Sequence, residues 1–268
     1  NCHSHVTYDI VKEKFPERTN FIPHALPDEL FFKMSDEINV KNKTALLGAE
    51  HSDSFVLFWV NRNAKRKRPN DVLMSWKLFL DKLTDAQKSK TVLLMHTDPE
   101  DSEGPNLLTT CAKLGILENV KFSRERLGFE QMNALHNLAD ACINIAYAEG
   151  FGLATLESMK VGNPIIASKT GGLTRQVIDH RDGTENGVGL DITLKSLVGS
   201  QGVPYIYEDY CSVEDAADAI YKIFDMPSEE RLALGEKARE YVQQEFSMQK
   251  TIDLWDESLT KLVEDWNS

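Results

Sequence analysis

Cysteine is scarce in this sequence, four in 268 residues, and Cys2, Cys111, Cys142 and Cys211 lack the paired spacing of a metal site. Cys142 sits inside an apolar strand pattern, and all four read as free thiols. No apolar run approaches the roughly 20 residues of a membrane-spanning helix, and no secretory leader is visible. The expectation is therefore a cytoplasmic chain. Positive charge is also short: 30 Lys and Arg stand against 42 Asp and Glu, a formal net charge of −12. That balance excludes a broad nucleic-acid-binding surface and confines anion binding to a local patch. Internal repeats and low-complexity tracts are absent. So is a GxGxxG turn after an early strand with an acid about 20 residues further on, which argues against a dinucleotide-dependent dehydrogenase. The first residue is Asn rather than Met, as expected of a fragment or a processed chain.

What is present is an ordinary globular composition, 41% hydrophobic and 27% charged, enough for a large core or two lobes. His3 to Phe15 has helical spacing, Pro16 stops it, and Asn20 to His24 reads as a short strand. His3, His5 and His24 beside these turns read first as hydrogen-bonded structural groups, with His24 a candidate to line a cleft. Ser54 to Val60 is apolar and rich in aromatic and β-branched residues, as a buried strand is. A basic run follows it, Asn61 to Pro69, containing Arg62, Lys65, Arg66, Lys67 and Arg68. In an open parallel sheet ligands bind beyond the strand C-termini, so this run stands where an anion would arrive. A solvated charge run is the plainer alternative.

Strand and helix then alternate. Asp71 to Leu83 carries an apolar helical stripe and Thr91 to His96 a strand. Asn106 to Leu114 is a helix closed by Gly115, Asn119 to Phe122 a strand, and Gly128 to Ala139 a helix with Phe129, Met132, Leu135 and Leu138 inward. Arg124 and Arg126, in the turn between the last two, read equally as solvated or as ligand contacts. Ala141 to Tyr147 is the next strand, and Leu153, Leu156 and Val161 continue at helical spacing. Pro164 to Ser168 is a strand, and Thr170 to Leu173 opens a helix reaching Ile178. Glu185 to Tyr210 is irregular, a long loop or a strand with an insertion. Val213 to Asp225, Ser228 to Phe246 and Met248 to Trp266 read as helices, the last capped by Ser247. Six or so strands alternating with helices imply an α/β fold with a doubly wound parallel sheet.

The stretch Ala148 to Gly162 organises the chain. Gly150 and Gly152 permit a tight turn between strand and helix, where backbone amides and the positive helix end converge on one point and suit a phosphate. Glu149 precedes the turn and Glu157 lies about one helical turn beyond it. A lone GxG is weak, and an acid near a helix start is commonly a partner of the helix dipole. The longer pattern is more specific. Gly150-Phe151-Gly152, Glu157-Ser158-Met159, the Gly162-Asn163-Pro164 turn and the Gly171-Gly172 pair together resemble the Glu-x7-Glu region of retaining, nucleotide-sugar-dependent glycosyltransferases of the GT-B fold, in family four of that classification. The likeness runs more loosely from about Ile22 onward.

That resemblance implies a Rossmann-like C-terminal half of a GT-B fold. Residues 1–22 would end the N-terminal acceptor domain, 23–246 form the donor nucleotide-sugar-binding domain, and 247–268 be a helix returning to the first domain. It implies transfer of a sugar from a nucleotide diphosphate to a hydroxyl with retention, needing no metal and no cofactor. Glu149 would contact hydroxyls of the donor sugar. The amides of Gly150, Phe151, Gly152 and Leu153 would hold sugar and phosphate, and Glu157 the ribose. Arg62 and Lys67 would stabilise the departing diphosphate, with Arg66 or Arg68 able to fill either role because the spacing is one residue short of the common form. An acid often follows the glycine pair in this family, whereas Thr174, Arg175 and Gln176 stand here, which puts contacts of that loop in question. The acceptor stays open among carbohydrate, lipid and protein hydroxyls, as does peripheral membrane contact. An N-terminal half or a partner chain would complete the cleft and cover the apolar side of the last helix, and these residues alone would transfer sugar poorly. The rivals are a GT-B epimerase or phosphorylase, a non-catalytic nucleotide-sugar-binding subunit, and a hydrolase using Glu149 as nucleophile, for which the carboxylate pair would stand about 5–5.5 Å apart.

Overall fold

A computed structural model describes residues 1–267. In chain order the elements are α1 (His5–Lys14), α2 (Asp36–Leu47), β1 (Phe55–Val60), α3 (Pro69–Leu80), the short α4 (Asp85–Lys88), β2 (Thr91–His96), α5 (Leu107–Leu114), β3 (Val120–Ser123) and α6 (Phe129–Asn137). They continue with β4 (Ala141–Asn144), α7 (Leu153–Lys160), β5 (Ile165–Ser168), the short α8 (Thr174–Val177), β6 (Gly187–Leu190), β7 (Leu194–Val198) and β8 (Ile206–Tyr210). Three helices end the chain: α9 (Val213–Asp225), α10 (Ser228–Glu245) and α11 (Met248–Asn267).

Six parallel strands lie in the order β3-β2-β1-β4-β5-β6. The chain moves outward from β1 to β3, returns to the middle, and moves outward again, so its direction reverses between β1 and β4. Helices cover both faces, which is why the central strands β1 and β2 are continuous apolar runs rather than alternating with polar residues. Leu57 and Trp59 of β1 join Trp76 and Phe79 of α3 and Ile220 of α9 in one core. Val56 and Phe58 face the opposite side with Leu135 and Leu138. A third cluster joins Leu156 and Met159 of α7 to Tyr241 and Val242 of α10. Stop signals work as their chemistry dictates. Asn106 Oδ1 accepts the Thr109 amide at 2.8 Å, Ser212 Oγ accepts that of Asp215 at 2.9 Å, and Gly115 ends α5 with a φ of 68°.

Several expectations are corrected. Asn20 to His24 is not a strand but an extended segment with a single bridge from Cys2 to Phe21. The β4 strand stops at Asn144, and Ile145 to Tyr147 already belong to the turn. Phe129, in the first turn of α6, is 62% exposed rather than inward. The Glu185 to Tyr210 region holds β6 and then an antiparallel hairpin, β7 with β8, outside the main sheet. The α2 helix, which buries only Leu47, carries no apolar stripe that could have announced it. Near the chain ends, Asn20 Nδ2 donates to Ser258 Oγ at 3.1 Å, so the first segment and α11 lie together. The expected apolar surface on α11 is there: Ile252, Leu259, Leu262 and Trp266 are exposed. No helix is long and apolar enough to cross a membrane among the described residues.

Candidate functional site

Where strand order reverses, the loops after β1 and β4 separate and leave a crevice. The turn after β4 carries Glu149 and enters α7 through Gly152, whose φ of 94° disfavours any other residue; a Cβ there would also stand 2.6 Å from Leu173 Cδ2. Behind it lies the second glycine turn. The Gly172 amide donates to the Glu149 carbonyl at 2.9 Å, and a Cβ on Gly171 would come within 2.1 Å of that same oxygen. The glycine pair is therefore what lets the two turns touch backbone to backbone. Gln176, fully buried, finishes the join: its Nε2 donates to the carbonyls of Phe151 at 2.8 Å and Gly152 at 3.1 Å. The departure from the family pattern at this loop thus has a structural use. Asp209 of β8 braces both turns, its amide donating to the Tyr147 carbonyl at 2.9 Å and its Oδ2 accepting from Thr170 Oγ1 at 2.7 Å.

A cleft of about 440 Å³ opens in front. Arg62, Arg66 and Lys67 line it from the β1 side, and Glu149, Phe151, Gly152, Leu153 and Glu157 from the other. Gly150 lies within the turn but not in the wall. Lys67 is buried and ion-paired with Glu149, so two residues expected to meet the ligand meet each other. Burial lowers the Lys67 pKa, and the Glu149 carboxylate opposes that fall. Arg62 is exposed and forked onto Asp101, with Nε and Nη2 donating at 2.7 and 3.1 Å, which raises its pKa. Arg66 is exposed at the mouth.

Arg68 is excluded from the cleft. Its guanidinium is buried, donating to Asp71 at 2.7 Å and to the Cys211 carbonyl at 3.0 Å, and it lies 5.3 and 5.4 Å from the rings of Tyr147 and Tyr210. It ties β8 to the β1 loop, and its φ of 53° marks the tight turn there. Arg124 is not in the cleft wall either; it lines a separate cavity beside β3 and α6 and pairs with Glu100 at 3.7 Å.

Two residues that the sequence did not single out belong to the site. His136 of α6 is fully buried, with Nε2 3.0 Å from Glu157 Oε2 and Nδ1 2.8 Å from Ser158 Oγ, and thereby fixes where the Glu157 carboxylate points. Asn144, the last residue of β4, is 1% exposed and lines the cleft. Its Oδ1 accepts the Ala146 amide at 3.2 Å, which leaves Nδ2 buried with no protein partner. Buried donors are ordinarily satisfied, so an orphan in a cleft wall is a mark of ligand contact. An isolated polar residue in an apolar strand was the only signal. His24 does reach the cleft; its ring meets His3 at 4.2 Å and Phe151 edge-on at 5.1 Å, and burial lowers its pKa.

The strand order and a charged crevice at its reversal define a doubly wound α/β domain that receives a ligand at the strand C-termini. Residues 47–189 match the family described as glycosyl transferases group 1, and the chain belongs to that family. It is 30% identical over 135 residues to D-inositol 3-phosphate glycosyltransferase 2 of Catenulispora acidiphila, covering 49% of this chain and 31% of that protein. The chain spans about a third of the length of the curated relatives it matches. Its fold resembles that of Anabaena Alr3699/HepE solved in complex with UDP, with a TM-score of 0.74 and 16% identity over 97% of this chain and 63% of that one. It also resembles the C-terminal domain of the glycosyl transferase group 1 family protein LpcC from Francisella tularensis, with a TM-score of 0.62 and 15% identity over 83% of this chain and 99% of that one. The expected placement, the second half of a GT-B fold, agrees with this last match.

Proposed function

We propose that the chain is the donor-binding part of a retaining glycosyltransferase that moves a sugar from a nucleoside diphosphate to a hydroxyl acceptor. The observation that carries this reading is the convergence of Arg62, Arg66, Lys67, Glu149 and Glu157 on one cleft at the switch point of the sheet. Glu157, held by His136, takes the ribose hydroxyls. Glu149 takes hydroxyls of the sugar, and Lys67 passes from Glu149 to the diphosphate when donor binds. Arg62 and Arg66 add positive charge at the mouth, and in this reading these three cations stabilise the leaving group without a metal. Uridine diphosphate is the first nucleotide to test, given the structural likeness to a protein solved with UDP. Residues 1–22 and α11 are read as parts that meet an acceptor-binding domain, and the cell interior as the place where nucleotide sugars are met.

A thermal-shift panel of nucleoside diphosphates and their sugar conjugates tests the reading. At least one diphosphate is expected to raise the melting temperature, with a further rise for one sugar conjugate. No shift with any of them overturns it. Release of free sugar or a changed sugar from donor alone would instead support hydrolysis or epimerisation.

A further inference from the structure

Gln176 has no solvent exposure, and both ends of its amide are engaged behind the Glu149 turn. Its Nε2 donates to the carbonyls of Phe151 and Gly152, and its Oε1 lies against the Thr155 hydroxyl. Of the two amide atoms only Nε2 can donate to a carbonyl, so the partners themselves set the orientation of the amide. One peptide earlier, the Glu149 carbonyl is drawn the same way by the Gly172 amide. Across a trans peptide the carbonyl and the N–H point in opposite directions. With the carbonyls of Glu149, Phe151 and Gly152 all tied back to the 172–176 segment, the amides of Gly150, Gly152 and Leu153 are turned away from it. Phe151, Gly152 and Leu153 line the cleft, beside the unpartnered buried Nδ2 of Asn144. The Leu153 amide opens α7, a position at which the helix itself has no acceptor for it. Successive amides facing one concavity, with an orphan amide donor beside them, suit an anion.

We propose that Gln176 is a positioning residue: by holding back the carbonyl of Phe151, and sharing that of Gly152 with the Thr155 hydroxyl and the Leu156 amide, it aims the Gly152 amide, beside that of Leu153, at a phosphate oxygen of the donor diphosphate. The ligand in this statement rests on the function proposed above. Gln176 touches no ligand, since its polar atoms are spent on Phe151, Gly152 and Thr155. An apolar side chain in its place would leave the Phe151 carbonyl without its side-chain donor, whereas the Gly152 carbonyl keeps the Thr155 hydroxyl at 2.8 Å and the Leu156 amide at 3.2 Å; the turn would relieve this by rotating the Phe151–Gly152 peptide, which swings the Gly152 amide out of the cleft.

Gln176→Met, similar in length but with no donor, tests the proposal by two readouts. In the ligand-free protein, hydrogen exchange over residues 149–154 is expected to quicken by about tenfold while β1 and β2 keep their protection. In titrations with a nucleoside and its diphosphate, affinity for the diphosphate is expected to fall by about tenfold and that for the nucleoside to stay within about twofold. Thr155→Val, which removes the hydroxyl that seats Gln176 and also meets the Gly152 carbonyl, is expected to move both readouts the same way, and carries the test if the Met variant does not fold. The double variant should lose less than the sum of the two single losses, as for neighbours in one hydrogen-bonded unit. Unchanged exchange over 149–154, or an equal loss for nucleoside and diphosphate, overturns the proposal. Wild-type protein that binds no nucleoside diphosphate would instead sink the functional reading, while the exchange result still decides whether Gln176 sets the turn.

Discussion

Lys67 is charged only while its surroundings allow it: burial pushes its pKa down and Glu149 opposes that. Binding of a diphosphate needs the ammonium form, so affinity falls as pH rises through the Lys67 pKa. Glu149→Gln removes the opposing carboxylate, lowers that pKa further, and is expected to move the loss of affinity to lower pH, a shift that titrations across pH would reveal. At a pH where both forms are protonated, the same variant should keep the bare diphosphate and lose preference for the sugar conjugate. Glu157→Ala, by contrast, is expected to weaken nucleoside and diphosphate alike by about 1.5–3 kcal/mol, as for a lost charged hydrogen bond. Equal behaviour of the two Glu variants toward all ligands would contradict the assigned roles. Arg68→Leu should lower the melting temperature without changing diphosphate affinity of the folded fraction, because this guanidinium braces β8 and not the ligand. At this scale the charged residues of the site were legible because a ligand cleft needs them in a recognisable order. Asn144 and His136 were not, since one polar residue in an apolar strand and one His in a helix are usually structural.

The pair of glycine turns is the element most sensitive to substitution. Gly171 has a φ of 47° and no room for a Cβ against the Glu149 carbonyl, so Gly171→Ala combines backbone strain with overpacking. A loss of roughly 2–4 kcal/mol is expected in chemical unfolding, and a loss under about 0.5 kcal/mol would show that the turns separate freely. Apolar runs bounded by Gly, Pro and capping residues made β1, β2, β5, α3 and the three final helices readable from sequence. The β7–β8 hairpin escaped because both its faces carry exposed apolar residues, Leu194 on one and the paired Leu197 and Tyr207 on the other, so the alternation that marks a half-buried strand is blurred. Its link to the site through Asp209 lies in the pairing of Asp209 with Tyr147 and Thr170, which are 62 and 39 residues away in the chain, and no local pattern encodes that.

Over the whole molecule the net charge of −12 repels a nucleoside diphosphate at long range, and the cleft cations attract it only nearby. Salt screens both over about 8–10 Å, so the two effects oppose each other on approach. The association rate constant is therefore expected to change little with ionic strength, while the dissociation rate constant rises as close contacts weaken. The pairing of Lys67 with Glu149 adds a kinetic consequence. Under the proposed function an arriving ligand would first meet Arg62 and Arg66, exposed at the mouth, and Lys67 would join only after turning from Glu149. Capture and locking are then separate events. Stopped-flow mixing with a nucleoside diphosphate is expected to give a phase that quickens with ligand concentration, followed by one that does not. Glu149→Gln, which leaves Lys67 without its ion-pair partner, should erase the second phase and keep the first.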